Sequence, residues 1–183
     1  RIRIEHGDAQ SVLGQSVAAL ATYRTAFAIA ETLAGRDPAN TQWQRDLSVS
    51  HNRIGDVLIA QGDGPDALAA YRKGLAISET LAGRDSANTQ WHRDLSISHN
   101  KIGNVLVAQG NGPGALAAYR KSHAIFETLA GRDPANTQWK RDLSVSHEKI
   151  GDVLVAQGDG PGALVAYRKS HAIFETLAGR DPA

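Results

Sequence analysis

The stretch "ETLAGRDPANTQW", from Glu31 to Trp43, decides the fold because it recurs at a fixed interval. It returns at Glu79–Trp91 with serine in place of the proline, and it returns unchanged at Glu127–Trp139. A fourth copy begins at Glu175 and reaches "ETLAGRDPA" at the last residue. The three tryptophans are therefore 48 residues apart. A fixed period of this size is the sequence signature of a repeat architecture.

The same period extends along the whole chain of 183 residues. Residues 88–135 and 136–183 differ at six positions and are identical at the other 42. We therefore predict a single repeat domain over residues 1–183, with a partial first unit at 1–39 and full units at 40–87, 88–135 and 136–183. The last copy of the phrase breaks off where another first helix is expected. More of the same chain, or a neighbouring molecule, is expected to supply that helix.

The first half of each unit has the apolar spacing of an α-helix. In residues 40–61 the apolar stripe consists of Trp43, Leu47, Ile54 and Leu58, at intervals of 4, 7 and 4. Asn40 or Thr41 is expected to cap this helix, and Asp37 is an alternative cap. Thr41 and Gln44 also have the spacing of a capping box. The tryptophans are expected to be core residues between neighbouring units, because a buried aromatic side chain contributes a large apolar area.

The second half of each unit predicts a second helix after a tight turn. In "GDGP" at residues 62–65, Gly62 suits a left-handed helix cap and Pro65 suits the first helical position. The helix is expected over residues 65–82, with Gly83 ending it. Its buried side is expected to carry Ala67, Leu68, Tyr71, Leu75 and either Ile77 or Ser78.

The centre of each unit carries a motif that resembles the tetratricopeptide repeat family. It reads His51-x2-Ile54-Gly55-x2-Leu58, followed by Ala67-x3-Tyr71, and the same positions recur in the next two units. The family pattern is W-x2-L-G-x2-Y and then A-x3-F in about 34 residues. The resemblance implies an all-α fold: a right-handed α-solenoid of antiparallel helix pairs. The histidine in place of the family tryptophan and the longer period are departures, and two added helical turns in each helix would account for the extra length.

The resemblance also implies a function and a binding surface. Such long units look like those of bacterial multidomain proteins, so we expect a non-enzymatic scaffold for protein–protein interaction. In the family the first helix lines a concave groove, to which Ile59, Val107 and Val155 map. The polar groove positions are Arg45, Asn52, Asp56, Arg93, Asn100, Asn104, Arg141, Glu148 and Asp152. Alanine at positions 60, 108 and 156 speaks against capture of an acidic peptide tail, and a basic or polar partner is expected.

Composition and motifs exclude several other classes of function. Twenty basic against nineteen acidic residues leave no basic block for nucleic acid, and no apolar run is long enough for membrane insertion. We found no motif for a cofactor, a catalytic triad or a metal, so no cofactor is expected. The recurring His51, His99 and His147 are interpreted as packing residues, since successive copies lie about 10 Å apart.

Two features leave alternatives open. Arg45 and Asp46 recur in each unit, and we expect the pairing to run to the neighbouring repeat, with plain solvated charge as the alternative. The unfinished last unit favours a second function, in which copies of the chain stack head to tail as a self-associating array or filament. A scaffold would suit the cytoplasm and a filament would suit an extracellular location, so the compartment stays open.

Overall fold

The computed structural model describes residues 16–179, and this part of the chain is helical with short turns. Its seven helices are α1 (Ser16–Arg36), α2 (Thr41–Ala60), α3 (Gly64–Arg84), α4 (Thr89–Ala108), α5 (Gly112–Arg132), α6 (Thr137–Ala156) and α7 (Gly160–Ala178). The predicted all-α fold built of helix pairs is confirmed. Residues 1–15 of the predicted partial unit and residues 180–183 lie outside the described residues.

The helices form two compact units that divide after Ser98, within α4. In unit 1, α2 packs against both α1 and α3. In unit 2, α6 packs against both α5 and α7. We call the first helix of a repeat (α2, α4 or α6) a first-type helix and the second helix (α1, α3, α5 or α7) a second-type helix. Both α2 and α6 therefore lie between two second-type helices.

Within each pair, a short turn both caps the C-terminus of the first helix and caps the N-terminus of the second helix. Gly62 has a φ of 81°, as its predicted left-handed conformation requires. The amides of Gly62 and Asp63 donate to Ile59 and Leu58 at 3.0 and 2.8 Å, which is a Schellman cap. The Asp63 carboxylate then accepts from the Asp66 amide and caps α3. Pro65 is consequently the second residue of α3, one position later than predicted.

The joint between pairs is built by the repeated phrase itself. Asn40 caps α2 and accepts from the Trp43 amide at 3.1 Å, which confirms the first predicted cap. Thr41 is the first helical residue, so the predicted capping box does not form, and Gln44 donates to the carbonyl of Ala34 instead. The α3 helix continues through the predicted stop at Gly83 to Arg84. Gly83 has no positive φ, so it is not a helix cap.

The core of each pair is built from small residues and one tyrosine. Ala67, Leu68 and Tyr71 are buried, as predicted, whereas Leu75 and Ile77 are half-buried and Ser78 takes the interior position. The Ser48 hydroxyl lies 2.8 Å from the Ser78 hydroxyl and donates to the carbonyl of Gly74. Small residues let the two helix backbones approach closely. These polar contacts also satisfy hydroxyl groups that would be costly to bury alone.

The tryptophans are not the core residues that the sequence predicted. Trp43, Trp91 and Trp139 are all half-buried, while Ser48, Ser50 and Val57 of α2 are fully buried. Because α2 packs on two neighbouring helices, its interior side is wider than one apolar stripe. The large indole rings lie at the edge of that interior, and the smallest side chains occupy the closest contacts.

Candidate functional site

A tyrosine in each helix pair fixes one polar side chain on the first helix. The donor–acceptor distances are 2.8 Å for Tyr71 to Asp56, 2.8 Å for Tyr119 to Asn104 and 2.7 Å for Tyr167 to Asp152. The residue before each acceptor is glycine, and a Cβ at Gly55, Gly103 or Gly151 would overlap the tyrosine ring. The glycine therefore allows the ring to lie against the first helix, and the ring then orients the acceptor.

A cavity of about 340 Å³ lies beside this arrangement in unit 2. Its walls come from the end of α4, the start of α5 and the second half of α6. Val107, Pro113, Val153 and Ala156 supply the apolar lining, and Tyr119, Lys149, Asp152 and Gln157 supply the polar groups. This size is at the lower end of the range for small-ligand sites, and mainly apolar walls with a few polar groups are typical of them.

The cation at the edge of the cavity is held by neutral groups. Lys149 Nζ donates to Asn104 Oδ1 at 2.9 Å and lies 5.3 Å from the centre of the Tyr119 ring. Burial lowers the pKa of Lys149, and the nearby Asp152 carboxylate opposes that shift. Asn104 accepts from both Tyr119 and Lys149, so both lone pairs of its carbonyl oxygen are used. The contacts with Asn104 and Tyr119 therefore orient the ammonium group, and neither of these two partners is a carboxylate.

Three predicted groove residues each accept a hydrogen bond from a tyrosine in their own helix pair, and other predicted groove residues are buried inside the protein. Asp56, Asn104 and Asp152 are the tyrosine-bound acceptors described above. Asn52 is 8% exposed and donates to the Ser98 hydroxyl at 3.1 Å, so it does not line an accessible groove. Glu148, at the equivalent position of α6, is half-buried and accepts from Ser170 at 3.1 Å. This position faces neighbouring helices, which explains why its polar group points inward.

The predicted arginines differ in how accessible they are. Arg45 Nε donates to Asp94 Oδ2 at 2.6 Å, which confirms the predicted pairing with the next repeat. Its side chain is therefore engaged within the protein. Arg93 and Asn100 of α4 are half-buried, and Arg141 of α6 is exposed.

The recurring histidines were predicted to pack between helices, and two of them, His51 and His147, contact a ring on a neighbouring helix. His51 lies edge-on to Phe27 with ring centres 4.8 Å apart, and burial together with Lys73 lowers its pKa to about 4. His99 is 5% exposed. His147 contacts His123 of α5 at 4.3 Å. Within residues 16–179, no three histidine, aspartate or glutamate side chains are grouped so that they could hold a metal ion.

Two segments of the chain match a protein-family model. Residues 50–88 and 98–136 each match the tetratricopeptide repeat model. These two segments are tetratricopeptide repeats. Such repeats generally mediate protein–protein interaction or scaffolding.

Solved structures show the same fold at low sequence identity. BtubC (BKLC) from P. vanneervenii is 17% identical, with a TM-score of 0.77 over 100% of this chain and 65% of BtubC. The chain thus spans 65% of the length of that protein. MamA is 15% identical, with a TM-score of 0.50 over 100% of this chain and 95% of MamA. No curated protein matched this chain significantly.

The cavity uses residues that the sequence analysis did not select. Val107 was predicted on the groove, but Lys149, Pro113, Tyr119 and Gln157 were not assigned to it. The sequence contains one signal from which Lys149 could have been predicted. A basic residue recurs at the same position of each unit, three residues before the tyrosine-bound acceptor, as Arg53, Lys101 and Lys149. None of the described helices has the length and apolar character needed to cross a membrane.

Proposed function

We propose that this chain is a non-enzymatic scaffold that holds a segment of a partner protein against the first helices of its tetratricopeptide repeats. The observation that carries the proposal is the cavity between α4 and α6 of unit 2. Its apolar walls suit one apolar side chain of the partner. Lys149 and Asp152 at its edge supply a donor and an acceptor for the polar groups that flank that side chain.

Exposed aliphatic residues at equivalent helix positions also support partner binding at this surface. In unit 2, Val107 of α4 and Val155 of α6 are 48% and 56% exposed, and each is the next-to-last residue of its helix. Apolar side chains exposed at one repeated position are more informative than single exposed residues scattered on a surface. A partner segment with apolar residues among polar ones would cover them.

A peptide-selection experiment tests this proposal with a matched control. Peptides are selected from a displayed random library on the full chain, and their dissociation constants are measured by calorimetry. Val107→Asp should weaken binding at least tenfold, because it places a charge in the apolar wall. Val165→Asp should leave binding unchanged, since Val165 is similarly exposed (54%) but lies on α7 outside the cavity. Selected peptides that bind Val107→Asp as tightly as the natural chain would contradict the proposal.

Self-association is a second candidate function, supported by the surface of α7. Leu164 and Phe174 are 49% and 37% exposed, whereas Leu116 and Phe126 at the equivalent positions of α5 are 8% and 3% exposed. The α5 residues are buried in a unit where α6 packs on α5. A first-type helix of another copy would bury the α7 residues in the same way. Light scattering across a hundredfold concentration range tests this idea, and a constant monomer mass would contradict it.

A further inference from the structure

The contact between α5 and α6 contains two histidine rings that face each other. His123 of α5 and His147 of α6 have ring centres 4.3 Å apart, with 53° between the ring planes. His123 Nδ1 also lies 2.9 Å from the Ser146 hydroxyl. Both histidines are half-buried. Neutral rings pack at this distance, but two imidazolium ions would repel each other inside a half-buried interface.

The same contact in unit 1 has a different composition. There Phe27 packs edge-on against His51 at 4.8 Å, so only one ring of the pair can bind a proton. Positions 27, 75, 123 and 171, which are equivalent in the repeats, hold phenylalanine, leucine and two histidines. The His123–His147 pair is therefore a feature of one repeat junction, and the chain itself offers matched apolar replacements.

The charged groups around the pair do not neutralise two protons. Burial is the main cause that lowers the pKa of His147 to about 4, with His123 and Lys169 of α7 lowering it further and Glu127 of α5 opposing them. Burial also lowers the pKa of His123, again with Glu127 opposing and Lys169 reinforcing the shift. One carboxylate and one ammonium therefore face the two rings. A doubly protonated pair would leave an excess of positive charge at the junction.

We propose that the His123–His147 contact is an acid-sensitive joint, and that protonation of both rings separates α6 and α7 from α5. The α6 helix carries Lys149, Asp152, Val153, Ala156 and Gln157 of the cavity. Loss of the α5–α6 contact would therefore remove one wall of the cavity. In this last step, which rests on the proposed function, acid releases a bound partner.

Hydrogen–deuterium exchange of the free, full chain tests the joint. Exchange rates of α6 and α7 peptides are compared at pH 7 and pH 5 after correction for the intrinsic pH dependence of exchange. A histidine whose pKa is about 6.5 in the open helix and about 4 in the packed helix raises the equilibrium constant for opening roughly 20-fold between pH 7 and pH 5. Because the pKa of His123 is lowered as well, we expect the increase for residues 137–156 of the natural chain to exceed this one-ring value several-fold.

Two variants provide the controls. His123→Phe reproduces the residue at position 27, and His123→Leu reproduces the residue at position 75. In both variants the increase at pH 5 should be several-fold smaller, because only one ring of the pair can bind a proton. Equal increases in the natural chain and both variants, or no increase in the natural chain, would overturn the proposal.

If neither variant folds, an imidazole NMR titration of the natural chain decides the question. The proposal requires the two rings to titrate in two separated steps below pH 6.5, because the first proton opposes the second. Two independent titrations near 6.5 would overturn it. Both measurements use the chain without a partner, so the failure of the peptide selection would leave their interpretation intact.

Discussion

Arg45 of α2 and Asp94 of α4 form an ion pair at 2.6 Å, and Asp94 is the copy of Asp46 one repeat later. The side chains are only 28% and 15% exposed. Asp94 also accepts from Gln90 at 2.9 Å, so its carboxylate is held on two sides. The charged dipeptide of one repeat is therefore half of a contact that is completed by the next repeat.

Removing the arginine of this pair should destabilise unit 1. Arg45→Met leaves a partly buried carboxylate with one of its partners missing, and we expect the free energy of unfolding to fall by about 1–2 kcal/mol. Arg72→Met is the control, since Arg72 is exposed on α3, and it should change the value by less than about 0.5 kcal/mol. Urea denaturation measures both. Equal effects of the two substitutions would show that the ion pair contributes nothing specific.

Two helical glycines, Gly55 inside α2 and Gly83 near the end of α3, should respond in opposite directions to alanine. A Cβ at Gly55 would overlap the Tyr71 ring, which is buried and bonded to Asp56, so Gly55→Ala should cost about 1–3 kcal/mol. A Cβ at Gly83 has no atom within 4 Å, so Gly83→Ala should stabilise the chain by up to about 1 kcal/mol through helix propensity. Thermal unfolding distinguishes the two, and a stabilising Gly55→Ala would contradict the packing that we describe.

Mild acid should weaken the fold through its buried histidines. Burial, with Lys73 or Lys121 nearby, lowers the pKa of both His51 and His99 to about 4. Between pH 6.5 and 4 the unfolded chain binds protons on these rings and the folded chain does not. The free energy of unfolding is therefore largest above pH 6.5 and falls as the pH is lowered towards 4.

Urea denaturation at pH 7 and pH 5 measures this loss, with two variants as a matched pair. His99→Leu removes a buried ring and should reduce the difference between the two pH values. His171→Asn changes a side chain that is 74% exposed, and it should leave the difference as it is in the natural chain. Identical stability of the natural chain at pH 5 and pH 7 would contradict the burial argument.

Much of the fold followed from local signals in the sequence. The 48-residue period located the helix pairs, Asn40 capped α2 as predicted, and Gly62 adopted the left-handed conformation. The predicted helix end at Gly83 was wrong. A glycine near the end of a helix is often a C-terminal cap, but here α3 continues to Arg84. Caps depend on a few adjacent residues, so they are the part of the structure that one sequence predicts well.

The candidate site was only partly predictable. The acceptors Asp56, Asn104 and Asp152 were found because their spacing matches the repeat. Asn52 was misplaced because its burial depends on Ser98, 46 residues away. Lys149 was missed because its contacts are with Asn104 and Tyr119, which belong to the preceding repeat.

The sequence by itself determined the helices, their caps and their pairing, because these depend on periodicity and on residues close along the chain. Only the tertiary structure decided which side of each helix is interior. Each of α2 and α6 packs against two other helices, so several sides are buried at once and a single apolar stripe does not identify the core. Serine, glycine and alanine fill those close contacts while the tryptophans remain half-exposed, since backbone distance sets which side chain fits.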